Sequence, residues 1–416
     1  MLSAEIIAVG SELLTPEKTD TNSLWLTEKL NEIGVEVKLK TIVGDDEARL
    51  EETIRDAINR SDVVITTGGL GPTEDDVTRQ VSGRAVGRNL VYHDELEADL
   101  RARFKKWSRE MPEINKRQAF VIDGAEILPN PNGSAVGMML EMSGKVFVVL
   151  PGPPRELKPM FETFVLPTLK AKAGEIYVKR RILRVSGLGE SAVDELIAPI
   201  YSMFKNVQTS ILFNKSEIEV HLSAHSDNEQ EVKEVLSDLA GKIADKLGTA
   251  VFAVNGETME EVVGQMLEDS GKTLAVAESC TGGLIGMRLT DVAGSSKYFL
   301  EGAIVYSNEA KMRSLGVLRE VLDAHGAVSA ETAEAMATGI REKANSDYAV
   351  SVTGIAGPDG GTDEKPVGTV FIGYADELGT RSLKITLPGD RYLIRWRSSQ
   401  AALDYLRRQL LKKSEA

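Results

Sequence analysis

Cysteine is almost missing from this chain of 416 residues. Cys280 is the only one, so no disulfide can form within the chain and no metal site can be built from clustered cysteines. Histidine is nearly as scarce, with four in all, and His325 stands alone beyond residue 256. Positive charge is in deficit: 49 Lys and Arg face 63 Asp and Glu, a net charge of -14. That balance excludes a general nucleic-acid binder, which would carry a basic face. One dense basic run, Arg101 to Lys106, has the spacing of a solvated helix face. Long apolar runs are absent too, since none approaches the ~20 residues of a membrane span. The chain enters a strand-like run at Glu5–Val9 without the basic start and apolar core of a signal peptide. A cytoplasmic protein without membrane partners is expected.

What is present is ordinary globular stock, with 42% apolar and 27% charged residues. The length is too great for one core, so two or three domains are expected. From Met1 to Lys172, strand and helix patterns alternate. Strands are expected at Ile6–Val9, Val35–Val43, Asp62–Thr67 and Val146–Leu150, with helices at Ser23–Ile33, Glu47–Asn59 and Glu95–Trp107. Such alternation implies a parallel sheet covered on both faces, with a ligand crevice beyond the carboxyl ends of its strands.

Polar, glycine-rich turns fall at those ends. They are Gly10-Ser-Glu-Leu-Leu14, Asp20-Thr-Asn22, Thr66-Thr-Gly-Gly-Leu-Gly-Pro-Thr-Glu-Asp-Asp76 and Leu150-Pro-Gly-Pro-Pro-Arg-Glu156. Taken singly, Asp20 is a helix cap and Pro151 to Pro154 a rigid turn. Together they favour a phosphorylated ligand, because exposed amides cradle phosphate and clustered carboxylates hold a hard divalent cation. The candidate nucleotide-binding residues are Glu12, Asp20, Asn22, Gly68, Gly69, Gly71, Thr73, Pro151 and Gly152. Asp75 and Asp76 are the candidate ligands of magnesium, manganese or cobalt.

The middle of the chain, residues 174–254, reads as a small α+β unit. Strands are expected at Tyr177–Val185, Val207–Phe213, Glu217–Ala224 and Ala250–Val254, with helices at Glu190–Ile197 and Glu229–Lys246. Asn255-Gly-Glu257 then forms a linker ahead of an amphipathic helix, Thr258–Glu268.

The last region, residues 256–416, is organised around Thr273-Leu-Ala-Val-Ala-Glu-Ser-Cys-Thr-Gly-Gly283. A buried strand there delivers a hydroxyl and a thiol to the start of a helix, where unpaired amides and the dipole favour negative charge. The competing reading is that Ser279 and Thr281 merely cap that helix. Further strands are expected at Tyr298–Tyr306, Asp347–Thr353 and Val367–Tyr374, making a second α/β domain. Asn308 is expected to cap the next helix, which puts Lys311 in its first turn. A buried lysine near a helix start loses its proton readily and can act as a base. Tyr306 could relay a proton or orient that lysine, and a Cys280–His325 pair is the alternative nucleophile and base.

These stretches resemble a known family. GSELL, DTN, TTGGLGPTEDDVT and LPGPPRE look like the N-terminal domain of the CinA (competence/damage-inducible) family, related to the molybdopterin-binding fold. AESCTGG, GSSKYF, YSNEAK, HGAVS, GIAGPDGG and KPVGTV look like the family's C-terminal, nicotinamide mononucleotide deamidase domain. The resemblance implies two mainly parallel α/β domains, residues 1–172 and 256–416, joined by a KH-like module at 174–254. Gly187-Leu-Gly189 lacks the G-x-x-G spacing and basic support that RNA needs, so that module is expected to link or dimerise. The resemblance further implies a metal-dependent ADP-ribose pyrophosphatase in the first domain and a metal-free deamidase in the last. The substrates would be ADP-ribose and nicotinamide mononucleotide, and the protein a homodimer.

Carried across by residue, Ser279 matches the nucleophile, Lys311 the general base and Tyr306 the assisting hydroxyl. Amides of Thr281, Gly282 and Gly283 would hold the oxyanion. Arg395 and the Gly354–Gly361 loop, with Ala356 and Gly357, match positions near the substrate phosphate. The alternatives are a non-enzymatic adaptor in competence or recombination, and a deamidase whose pterin-binding-like N-terminal domain is inactive.

Overall fold

The computed structural model describes residues 1–106 and 108–414. The expected helix end at Trp107 and the last two positions, Glu415 and Ala416, lie outside the described residues. The chain divides into two compact units. One comprises Met1–Lys179 with His225–Lys233, and the other Arg180–Ala224 with Glu234 onward.

The first unit is built on strands β1 (Leu2–Val9), β2 (Val35–Val43), β3 (Val63–Thr67), β6 (Glu126–Leu128), β7 (Gly137–Met142) and β8 (Lys145–Leu150), while β4 (Leu90–Tyr92) and β5 (Phe120–Ile122) form a separate ribbon. The sheet order is β2-β1-β3-β8-β7-β6, and β2, β1, β3 and β8 are mutually parallel. Every residue of β3 is buried, as a strand covered on both faces requires. Helix Thr21–Glu32 buries Leu26 and Leu30 on one face, and helix Glu47–Arg60 buries Leu50, Ile54 and Ala57 on the other. Those spacings of three and four give each helix one apolar stripe.

Two features depart from the expected alternation. Strand β7 runs antiparallel to both its neighbours, β8 and the edge strand β6, and a short helix, Thr78–Ala85, follows the Gly68–Asp76 turn. The β7–β8 hairpin turns on Ser143 and Gly144, both at positive φ (49° and 84°), as a tight two-residue turn needs.

Mostly within the second unit, β9 (Tyr177–Val185), β10 (Val207–Asn214), β11 (Glu217–Ser226) and β12 (Val251–Ala253) form a sheet in the order β10-β11-β9-β12. The second sheet has β13 (Leu274–Glu278) between β14 (Phe299–Ile304) and β15 (Tyr348–Gly354), all parallel. Antiparallel β16 (Thr369–Asp376) and β17 (Gly379–Thr386) complete it. The helix before β13, Met259–Ser270, starts with a capping box made by Thr258 and Glu261.

The long helix Arg391–Ser414 packs Ile394, Leu403, Leu406 and Leu410 into the same core as Leu274, Val276 and Val352. Its flank is polar yet covered. Gln400 Nε2 donates to Glu217 at 2.9 Å, and Arg407 Nη2 donates to the Thr249 carbonyl at 2.6 Å. Among the described residues no helix is long and apolar enough to cross a membrane.

Candidate active site

Because β13 is flanked by parallel neighbours, its carboxyl end opens directly onto a sheet edge. Ser279 is the first residue beyond it and continues the ladder, its amide donating to the Val352 carbonyl at 2.9 Å. The next helix, Leu284–Asp291, starts without a hydroxyl cap. Its cap position is Gly283, held at φ 94°, where a Cβ would lie 2.9 Å from Ile304 Cδ1. The capping is done instead by Glu278, the last residue of β13. Its buried carboxylate accepts from the amides of Gly283 (3.0 Å), Ile285 (3.1 Å) and Gly286 (2.8 Å). An anion at a helix N-terminus satisfies orphan donors and the dipole together. Neither Ser279 nor Thr281 serves as a cap, so both hydroxyls remain for other work.

Lys311 comes from the first turn of helix Asn308–Leu315, which is capped by Ser307 and not by the expected Asn308. Only 1% of Lys311 is exposed. Its Nζ donates to the Val305 carbonyl at 2.8 Å and lies 3.1 Å from Ser279 Oγ. Burial holds its pKa below the ordinary lysine value. A neutral amine in this position can donate to Val305 while its lone pair accepts the serine proton.

The neighbouring thiol sits in a different world. Cys280 is packed in the hydrophobic core beside Val352 and Ala356, and burial pushes its pKa up to about 12. A thiol so raised stays protonated and is a poor nucleophile. His325 ends the short helix Arg319–His325, and its half-exposed ring lies 3.4 Å from Glu331.

The expected oxyanion donors are largely engaged. The Gly282 amide donates to the Ser279 carbonyl at 3.2 Å, and that of Gly283 goes to Glu278. Among the described residues, the Thr281 amide meets no acceptor and the buried Thr281 Oγ1 has no partner. The Thr281 carbonyl is fixed by Arg395, whose Nη2 donates to it at 2.7 Å. Tyr306 is exposed, and its hydroxyl accepts from Arg391 at 2.9 Å. The other arm of Arg391 donates to the Gly357 carbonyl at 2.7 Å, which ties Tyr306 to the loop after Gly354. Glu278 and Arg391 were not among the residues singled out in the sequence, although Glu278 lies inside the Thr273–Gly283 stretch that was.

A second site lies in the first unit. A cleft of about 690 Å³ opens at the carboxyl ends of β1, β3 and β8. It gathers Glu12, Asp20, Asn22, Gly68, Gly69, Gly71, Asp75, Asp76, Pro151 and Gly152. Asp20 caps helix Thr21–Glu32 through the Ser23 amide. Asn22 Nδ2 spans two strand ends, donating to Thr67 Oγ1 at 3.2 Å and to the Gly152 carbonyl at 2.7 Å. Gly69 takes φ 64° against Thr78, and a Cβ there would come within 2.2 Å of Thr78 Oγ1.

Thr73 is not a wall of the cleft but braces it: its amide and hydroxyl both donate to Asp76. Among the described residues no three acidic, histidine or cysteine side chains stand close enough to hold a metal ion by themselves.

Three family models cover the chain in sequence. A probable molybdopterin binding domain matches residues 5–171, the damage-inducible protein CinA KH domain 180–253, and the CinA C-terminal domain 256–410. A CinA-like protein of Solibacter usitatus is 50% identical over 414 residues, covering 100% of each chain. The chain belongs to the CinA family. A putative competence-damage inducible protein of Thermoanaerobacter pseudethanolicus is 44% identical, covering 99% of each chain. Among solved structures, the competence/damage inducible protein CihA from Agrobacterium tumefaciens shares 40% identity, with 36% of this chain and 94% of that one covered and a TM-score of 0.35. In this CinA-family chain, Ser279, Lys311 and Glu278 all lie within the matched C-terminal domain, and the acidic cleft lies within the molybdopterin-binding-like one.

Proposed function

We propose that the C-terminal domain hydrolyses the carboxamide of nicotinamide mononucleotide to nicotinate mononucleotide and ammonia. The observation that supports this is the buried Lys311 amine lying 3.1 Å from Ser279 Oγ, with the Val305 carbonyl holding it in place. Neutral Lys311 takes the serine proton as Oγ attacks the amide carbon. The Thr281 amide and hydroxyl stabilise the oxyanion; one such donor contributes about 3 kcal/mol. Protonated Lys311 then delivers its proton to the amide nitrogen, which departs as ammonia as the C–N bond breaks and the acyl-enzyme forms. The same lysine deprotonates the water that cleaves the acyl-enzyme. Arg391 and Arg395, on one helix beside the Gly354–Gly361 loop, supply the positive charge that a nucleotide phosphate needs. The test is ammonia release from nicotinamide mononucleotide with and without chelator. Release that the chelator leaves unchanged is expected, and a chelator-sensitive rate would overturn the serine–lysine mechanism.

In the N-terminal domain we propose cleavage of ADP-ribose to AMP and ribose 5-phosphate with a divalent cation. Asp75 and Asp76 would hold that cation, which neutralises charge on the pyrophosphate when bound. The chain's own part is to present loop amides to the phosphates in a cleft that Asn22 and Gly152 help to wall. Replacing both Asp75 and Asp76 with Asn is expected to remove ADP-ribose cleavage and leave amide hydrolysis intact. Full cleavage by that double variant would take the pair out of the metal site.

The structure bears on how the deamidase can be isolated. A fragment of residues 256–416 would expose the flank of the last helix that now meets Glu217 and Thr249 through Gln400 and Arg407. Both this fragment and a longer one, 180–416, are expected to release ammonia, but 180–416 should melt higher. Equal melting temperatures would show that this polar contact adds nothing to stability.

A further inference from the structure

The helix Thr78–Ala85, which lies behind the Gly68–Gly71 turn, carries an unusual load of buried polar atoms without partners. Thr78 Oγ1, Ser82 Oγ and both Nε and Nη1 of Arg79 meet no hydrogen-bond partner among the described residues. Arg79 is the extreme case. It is 1% exposed and fully enclosed by the domain. Its one hydrogen bond runs from Nη2 to the Leu70 carbonyl at 2.9 Å. Among the described residues it forms no ion pair. Asp76 is the one carboxylate whose charge bears on it, and Asp76 already accepts from the amide and hydroxyl of Thr73.

A buried guanidinium normally sits against an anion, because desolvating the charge is unfavourable unless something neutralises it. Water filling the gaps would satisfy N–H groups but would bring no negative charge. The missing charge has a natural place. Arg79 holds the Leu70 carbonyl, and Gln118 Nε2 also reaches it at 3.4 Å. In a trans peptide the carbonyl and the following N–H point in opposite directions. With the Leu70 carbonyl drawn inward, the Gly71 amide is turned the other way, and Leu70 and Gly71 both line the cleft.

We propose that Arg79 is the buried counter-charge for a phosphate seated on the Gly69–Gly71 turn, acting through the Leu70–Gly71 peptide that it orients. This rests on reading the cleft as a phosphate site, and it goes further by assigning the charge and the loop orientation to a residue outside the cleft wall. It carries a consequence that a scaffold role does not. If the charge waits for an anion, removing it relieves the ligand-free protein while weakening anion binding.

The experiment uses the full chain and inorganic pyrophosphate at fixed magnesium, with melting temperature and calorimetric affinity as readouts. For Arg79→Met, the ligand-free protein is expected to melt no lower than wild type, pyrophosphate affinity to fall at least tenfold, and the pyrophosphate-induced rise in melting temperature to disappear. Arg79→Lys keeps the charge and is expected to retain affinity within about threefold. A folded Arg79→Met that melts lower and binds pyrophosphate within twofold of wild type would make Arg79 a scaffold residue and overturn the proposal. So would a folded Arg79→Lys that loses more than tenfold, or failure of both variants to fold. Wild type that binds pyrophosphate without cleaving ADP-ribose would refute the hydrolase reading alone, whereas wild type that binds no pyrophosphate would refute both.

Discussion

Lys311→Met is expected to abolish amide hydrolysis, by at least about 10³-fold, while the protein melts no lower than before. The two effects share one cause. Lys311 is buried with a pKa below the ordinary 10.5, so the native state holds its proton less tightly than the unfolded chain does. As pH falls from 10.5 toward the depressed value, the lysine therefore subtracts progressively more stability, and below that value the deficit is constant. Methionine fills similar volume without the charge, so a gain of about 1 kcal/mol at neutral pH is the expected order.

Catalysis runs the other way, because only the neutral amine has a lone pair for the serine proton. The wild-type kcat/KM should therefore fall as pH drops through the depressed lysine pKa and level off above it. Ser279→Ala should lose as much activity as Lys311→Met. Lys311→Arg should not rescue it, since guanidinium stays protonated. Cys280→Ala and His325→Ala should each keep most activity, the thiol being raised to about 12 and the ring being paired with Glu331. An active Lys311→Met, or a dead Cys280→Ala that is still folded, would end the serine–lysine mechanism. A Lys311→Met that melts clearly lower would show the lysine to be a net structural asset.

Much of this arrangement was legible because the strands that carry it are buried on both faces. Apolar runs such as Val63–Ile65 and Leu274–Ala277 read as buried strands, and the glycine turns follow shortly after each one ends. What escaped is what depends on tertiary context. Strand β7 needs the positive-φ turn at Ser143–Gly144, and helix Thr78–Ala85 is polar enough to pass for loop. Ser279 and Lys311 are 32 positions apart, and their 3.1 Å approach requires β13 and β14 to be parallel neighbours. The composition of two helix starts misled in a specific way. Asn308 is a good cap by type, yet Ser307 takes the role one residue earlier. Ser279 and Thr281 are good caps by type, yet a carboxylate at the end of the preceding strand does the work. The rule that anions favour a helix N-terminus holds for Glu278, but only the fold reveals that its side chain reaches the helix start.

That carboxylate carries the second large effect. Glu278→Ala is expected to lower the stability of the second unit by about 3 kcal/mol and to abolish amide hydrolysis. Three amides, those of Gly283, Ile285 and Gly286, lose their acceptor at once, and the Ile285 amide is buried where water cannot replace it. The loss also frees the turn that fixes the catalytic loop. With the Gly283 amide released, the turn keeps the Gly282 bond to the Ser279 carbonyl and the Arg395 contact but loses its anchor to the end of β13, which loosens the aim of the Thr281 amide. Glu278→Gln separates charge from shape, since its one remaining oxygen can still accept while the negative charge at the helix start is gone. A smaller loss, about 1 kcal/mol, is expected for it, with turnover falling further than stability does. Urea unfolding of the 180–416 fragment and hydrogen exchange at residues 283, 285 and 286 give the two readouts. Unchanged protection of those three amides in Glu278→Ala would mean that the helix start supports itself and that Glu278 is not what shapes the nucleophile turn.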